Sequence, residues 1–290
     1  MWPSKPRYQR LLLFVVIIAG MLCIRLLTAV YAQQATEPKV KTAEPDYAKD
    51  PYWQHAKQEV YKGVLEVMAQ HQTELQRGWR LNTFIRGDVR KKLVALTFDD
   101  GPHAKFTPRL LAILQQEHVP ATFFVVGEMA EKHPELVKAE VAAGHAIGNH
   151  TYHHVNLTKI LEPDVATEIK ACGETLQRIT GKTPHLFRPP GGDYDKGVAE
   201  TATALGYTTV LWTDDPGDYA SPGDPVIFKR TLAQVSKGGI ILLHDGIEQT
   251  IDILPKLITT LKQRGYQFVT VDELMRGRKA GSSADLHSVQ

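Results

Sequence analysis

Two histidines, His150 and His154, stand four apart in the stretch GHAIGNHTYHH over Gly144–His154. On a helix or a tight turn that spacing faces both rings the same way. Two neutral imidazoles aimed at one spot begin a zinc-type site, which also needs an anionic third ligand and a fourth position open to water. The third ligand is expected upstream, in TFDDG at Thr97–Gly101. With 12 histidines in 290 residues, some pairs at this spacing arise by chance. The pair gains weight only if other segments bring further chemistry to the same place.

From Leu93 onward, short apolar runs alternate with amphipathic segments. Strands are expected at Leu93–Phe98, Ala121–Val126, His145–Gly148, His185–Arg188, Tyr207–Leu211, Gly239–Leu243 and Tyr266–Thr270. Helices are expected between them, at Pro108–Glu117, Pro134–Ala143, Pro163–Thr180, Lys196–Leu205, Pro225–Ser236 and Ile251–Arg264. Proline near a helix start costs no hydrogen bond, because the first turn leaves its N–H groups unpaired. Strand–helix alternation predicts an α/β fold with a parallel sheet, and seven repeats favour closure into a distorted (β/α) barrel of about seven strands. An open doubly wound sheet is the alternative. In a barrel, active sites form where strands end. Asp99 and Asp100 follow the first strand and His150 the third. Arg188 ends the fourth, Asp215 and Asp218 follow the fifth, and His244 and Asp245 end the sixth. Apolar strands usually end in turn formers, so charged and metal-binding residues at five strand ends point to one functional rim.

The N-terminus is built differently. Lys5, Arg7 and Arg10 precede the apolar run Leu11–Ile24, which Arg25 interrupts and Leu26–Ala32 resumes. A basic flank before an apolar run is the plan of a signal peptide or a signal anchor, and the run approaches the roughly 20 residues that span a bilayer. Residues 1–32 are therefore expected to act as anchor or cleaved signal, placing the body outside the cytoplasmic membrane. Residues 33–50 read as a linker. Residues 51–90 form an accessory segment, with a helix expected from Pro51 to about Arg77 and an apolar stripe of Trp53, Val60, Tyr61, Val64, Leu65 and Met68. Residues 91–275 form the main domain and 276–290 a disordered tail. The net charge of +2 and the scattered basic residues give no nucleic-acid footprint. The 2 cysteines, Cys23 and Cys172, lack CxxC partners, so a thiolate zinc site is excluded.

Five segments, TFDDGP (Thr97–Pro102), GHAIGNHTYHH (Gly144–His154), FRPPGG (Phe187–Gly192), WTDDPGDY (Trp212–Tyr219) and ILLHD (Ile241–Asp245), together resemble the polysaccharide deacetylase family, carbohydrate esterase family 4. The resemblance covers about Leu93–Leu274. It implies a metal-dependent hydrolase that removes acetyl groups from N-acetylated sugars. Residue by residue, it implies Asp100, His150 and His154 as ligands of one divalent ion. Zinc suits two histidines and a carboxylate, and cobalt, nickel, manganese or iron would fit as well. It further implies Asp99 as general base, oriented by Arg188, and His244 as general acid, oriented by Asp218. Gly191 would offer a backbone N–H to the oxyanion, Leu242 would line the acetyl pocket and Tyr219 would wall the sugar site. Two positions depart from the family pattern: Gly191 stands where an aromatic is common, and Tyr219 where tryptophan is common. Both imply a more open sugar site. His145, Asn149 and Thr151 are expected to support the loop, and Asp215 to cap it.

An enzyme outside a bacterial-type membrane meets peptidoglycan first, so its N-acetylglucosamine or N-acetylmuramic residues lead as substrate. A chitooligosaccharide or an O-acetyl ester is the alternative within the family. The alternative of another class is a glycan-binding protein that keeps the fold without turnover.

Overall fold

The structure is a computed structural model and describes residues 61–79 and 81–279. The expected leader (1–32), the linker (33–50), Trp53 and Val60 of the expected stripe, and the tail beyond 279 lie outside the described residues. Among the described residues no helix is long and apolar enough to cross a membrane.

One parallel sheet organises the chain. Its strands are β1 (Thr83–Phe84), β2 (Leu93–Asp99), β3 (Thr122–Val125), β4 (Ala146–Asn149), β5 (Leu186–Phe187), β6 (Thr208–Val210), β7 (Gly239–His244) and β8 (Gln267–Phe268). Their order is β1-β6-β5-β4-β3-β2-β7, with β8 also paired to β2. From β2 to β6 each crossover moves one place in the same direction, so the sheet is singly wound and the doubly wound alternative falls. The sheet curls into a distorted (β/α) half-barrel. The chain leaving β6 reaches round to β7, where Asp214 bridges Ile241 in parallel and its carbonyl accepts from Leu242 N–H at 2.8 Å.

Strand composition follows from this cover. β2 and β7 read LVALTFD and GIILLH, nearly continuous apolar runs, because helices or barrel interior bury both faces. The helices are α1 (Val64–Gln76), α2 (Thr107–Gln116), α3 (Gly127–Lys132), α4 (Pro134–Ala142), α5 (Glu162–Thr180), α6 (Lys196–Ala204), α7 (Asp224–Gln234), α8 (Glu248–Gln263) and α9 (Val271–Lys279). Proline occupies the first turn of α2, α4, α5 and α7. α8 shows the amphipathic rule plainly, burying Ile251, Leu254, Leu257, Ile258 and Leu261 on one face.

All seven expected strands and all six expected helices of the main domain are present, with ends shifted by a few residues. The short elements β1 and α3 were not anticipated, since two and six residues are too few to show a period. α9 was not anticipated either, and it runs to Lys279. The expected helix over 51–77 also needs correction, because its described part starts only at Val64. Gly63 is extended (φ −64°, ψ 156°), and its N–H donates to Glu66 Oε2 at 2.8 Å, so the helix is capped there. Leu65 is 82% exposed and lies off any buried stripe, whereas Val67 is buried.

Phe124 on β3 is fully buried, and its ring lies 4.0 Å from the guanidinium of Arg188. Phe124→Ala is expected to destabilise the protein by about 3–5 kcal/mol, measured by urea unfolding.

Candidate active site

The site is assembled from strand ends. Asp99 closes β2, and Asp100 follows with φ 74°. His150 follows β4, its N–H donating to Val125 O at 3.0 Å. His154 lies at the end of the same loop, where Thr151 (φ 65°) and His154 (φ 56°) adopt left-handed backbone. The two histidines therefore converge through an irregular turn, with rings 4.9 Å apart. Three of the five non-glycine residues with positive φ among the described residues are Asp100, Thr151 and His154. Such strain gathers where surrounding structure must fix functional groups. Asn149 supports the turn, accepting from Thr151 N–H at 2.9 Å and donating to Ile169 O at 2.7 Å.

Asp100 Oδ1 lies 3.1 Å from His154 Nε2 and 3.5 Å from His150 Nε2. One ligand atom from each of Asp100, His150 and His154 falls within 4.8 Å of the others, and all three residues are buried. His150 Nδ1 is 2.7 Å from the carbonyl oxygen of Arg188. A carbonyl only accepts, so Nδ1 carries the hydrogen and Nε2 presents a lone pair. That lone pair has no hydrogen-bond partner and faces Asp100 Oδ1 and, at 3.8 Å, Asp99 Oδ2. Lone pairs converging in a buried space repel unless a cation stands among them, so the donor set fits a divalent metal. Burial alone would raise the Asp100 pKa, but the neighbouring His154 and His150 outweigh it and hold the carboxyl well below its usual range.

Beside the triad, Arg188 Nη1 donates to Asp99 Oδ1 at 2.6 Å and to Thr97 Oγ1 at 2.8 Å, while Nε donates to Val210 O at 3.1 Å. Both members of the ion pair are fully buried. Asp99 Oδ2 has no hydrogen-bond partner and faces the histidine side of the cavity.

The opposite wall is built on β7. His244 Nδ1 lies 2.7 Å from Asp218 Oδ1, His244 N–H donates to Asp218 Oδ2 at 2.8 Å, and Thr250 Oγ1 donates to the same oxygen at 2.6 Å. Burial disfavours the imidazolium, but the Asp218 carboxylate, with Asp100 and Asp99 behind it, outweighs that and pushes the His244 pKa up to about 10. Its Nε2 has no hydrogen-bond partner. Tyr219 packs edge-on against His244, with ring centroids 5.4 Å apart. Asp215 accepts from Gly217 N–H at 2.9 Å, the capping role expected of it. Gly191 (φ 62°) sits in a buried turn at Pro190–Gly192, and Leu242 is fully buried in β7. The arrangement thus offers an N,N,O ligand set flanked by a carboxylate on one side and a protonated imidazole on the other.

The polysaccharide deacetylase family profile matches residues 86–210. A peptidoglycan-N-acetylglucosamine deacetylase of Bacillus cereus is 41% identical over 191 residues, covering 64% of this chain and 89% of the relative. The chain belongs to the polysaccharide deacetylase family. Similarity extends to a chitooligosaccharide deacetylase of Bradyrhizobium, 35% identical over 204 residues and covering 65% of this chain and 93% of that one. A solved peptidoglycan N-acetylglucosamine deacetylase in complex with 4-naphthalen-1-yl-N-oxidanyl-benzamide superposes with a TM-score of 0.67 at 36% identity, over 70% of this chain and 96% of that one. This polysaccharide deacetylase is accordingly a hydrolase.

Two features escaped the sequence. Thr250 anchors Asp218, but a threonine in the first turn of a helix carries no signal of that. Tyr61 enters the cavity itself, its hydroxyl 3.5 Å from Asp100 Oδ2 and its ring centroid 4.3 Å from that of Tyr219 and 4.7 Å from that of His244. Tyr61 thus packs against Tyr219, where the sequence led us to expect open space. Gly63, followed at the third helical position by Glu66, is the signal that would have placed Tyr61 ahead of the helix. His145 supports the fold, its Nδ1 accepting from Ala121 N–H at 3.1 Å, and burial lowers its pKa to about 4.

Because the folded-state pKa of His244 is raised, its pairing with Asp218 stabilises the fold fully below about pH 6.5 and is lost as pH rises through about 10. Asp218→Asn is expected to remove that contribution and to lower the His244 pKa, read directly by NMR titration of the imidazole.

Proposed function

We propose that this chain is a metal-dependent N-deacetylase of amino sugars in an extracellular glycan, with peptidoglycan the foremost substrate. The carrying observation is the single cavity in which Asp100, His150 and His154 meet Asp99–Arg188 on one side and His244–Asp218 on the other. The name of the Bacillus cereus relative supports N-acetylglucosamine of peptidoglycan, and the Bradyrhizobium relative keeps chitooligosaccharide as the second reading.

Asp100, His150 and His154 would hold the ion, with zinc favoured by the two imidazoles and one carboxylate. When bound, it supplies Lewis acidity that polarises the acetyl carbonyl and acidifies water. Asp99 Oδ2 takes the proton from the attacking water, while Arg188 fixes the other carboxylate oxygen. The water oxygen bonds to the acetyl carbon, and the Gly191 backbone N–H is assigned to the developing oxyanion. His244 carries its exchangeable proton on Nε2, since Nδ1 is engaged by Asp218, and gives it to the amine as the carbon–nitrogen bond breaks. Acetate and a free amino sugar result. Leu242 is assigned to the floor beneath the acetyl methyl, and Tyr219 to the sugar wall. The basic flank and apolar run of residues 1–32 support export, with the body held at the outer face of the cytoplasmic membrane or released from it.

With peptidoglycan or chitooligosaccharides as substrate, the metal-loaded chain is expected to release acetate. His150→Ala is expected to abolish release, and Asp99→Asn to lower kcat by about 10²–10⁴-fold with KM little changed. Mass analysis of the digested glycan identifies the sugar, and absence of acetate from both substrates would contradict the proposal.

A further inference from the structure

Tyr61–Gly63, just ahead of α1, lie against the catalytic groups, outside the family profile at 86–210 and outside all five sequence blocks. Tyr61 is 7% exposed, and its surroundings are catalytic groups. Its hydroxyl is 3.5 Å from Asp100 Oδ2, and its ring meets His244 edge-on with centroids 4.7 Å apart. At that separation the rings are in van der Waals contact, so nothing fits between them. The ring therefore spans from a metal ligand to the proton donor. A sugar acetamide must make the same span, its carbonyl at the ligand set and its nitrogen at His244.

The segment is latched outside the cavity. Lys62 N–H donates to Gly191 O at 2.9 Å, on the turn whose backbone faces the reaction. Lys62 Nζ pairs with Asp193 at 2.9 Å and donates to Gln70 Oε1 at 2.8 Å, and Gln70 Nε2 donates to Tyr194 O at 3.0 Å. The Lys62–Asp193 pair is partly exposed, the class of contact that holds a segment weakly enough to release. Gly63, extended and without a side chain, joins this latch to α1.

We infer that Tyr61 is an autoinhibitory plug. It occupies the acetamido position, and a glycan must displace the strap Tyr61–Gly63 before it can react. The inference rests on the deacetylase reading for what the site binds, but the closure rests on geometry alone. A site open only a tenth of the time binds about tenfold more weakly than an open one. Removing the plug therefore lowers KM and leaves kcat undiminished. A tyrosine that merely formed a sugar wall would do the reverse.

The test uses the full chain as wild type, Tyr61→Ala, Tyr61→Phe and Lys62→Ala, the last cutting the side-chain part of the latch without touching the cavity. The first readout is carbethoxylation of His244, through the minor neutral form of its imidazole, by diethylpyrocarbonate on metal-free protein at one fixed alkaline pH, followed by peptide mass spectrometry. Tyr61→Ala is expected to speed it on the order of tenfold, Lys62→Ala to speed it less, and Tyr61→Phe to match wild type. Equal rates in wild type, Tyr61→Ala and Lys62→Ala overturn the plug. The second readout is acetate release from N-acetylglucosamine oligomers by the metal-loaded proteins, where Tyr61→Ala is expected to lower KM about tenfold. A raised KM or lowered kcat in that variant assigns Tyr61 to the sugar wall and overturns the plug. Faster His244 modification, with no acetate from any variant, upholds the plug and sinks the glycan reading instead.

Discussion

Arg188 and Asp99 form an ion pair at 2.6 Å with neither side chain exposed, and the rest of the site is arranged around it. Burying two charges costs several kcal/mol each, which the geometry of the pair and its further hydrogen bonds offset, while Arg188 Nη2 and Asp99 Oδ2 have no hydrogen-bond partner. Here Thr97 and Val210 take further guanidinium protons, and the rings of Phe124 and Trp212 lie 4.0 and 5.6 Å away. The same residue's backbone carbonyl fixes the tautomer of His150, and its N–H donates to Asn149 O at 2.9 Å. One residue thus orients the Asp99 carboxylate, sets the lone pair of His150, a candidate metal ligand, and joins β4 to β5. Removing either partner of such a pair would leave a charge stranded, at a cost of about 3–5 kcal/mol.

The barrel makes this arrangement affordable. β2 and β7 run in register from Val94–Gly239 to Asp99–His244, so the proposed base and acid end adjacent strands at the same level. The backbone itself sets their spacing, and no flexible loop intervenes between them. Around the rim, the residues that need unusual geometry, Asp100, Thr151 and His154, carry left-handed backbone on loops held by the sheet. Rigid strands position Asp99 and His244, and strained loops position the Asp100, His150 and His154 cluster that could hold a metal.

Much of this was legible in the sequence, for physical reasons that differ by element. The main-domain strands and helices were readable because β2 and β7 are short continuous apolar runs and helical periodicity survives over α5 and α8. The ligand set was readable because TFDDG and the paired histidines are local patterns at strand ends. The mode of convergence was left open: a spacing of four fits a helix or a tight turn, and the structure uses a turn with left-handed backbone at Thr151 and His154. Tyr61 was invisible for another reason. Its ring fits the apolar stripe of a helix, and only Gly63 and Glu66 reveal that the helix has not yet begun. Its contact with Asp100 joins residues 39 apart in sequence, a separation no local pattern encodes.

The central claim is that Asp100, His150 and His154 share one divalent ion while Asp99 stays free of it, held by Arg188. Anomalous diffraction from crystals of the zinc-loaded chain measures this directly. The account predicts one peak at about 2.0–2.2 Å from His150 Nε2, His154 Nε2 and an Asp100 carboxylate oxygen. A peak ligated by Asp99 in place of Asp100, or no peak among these three residues, would contradict it.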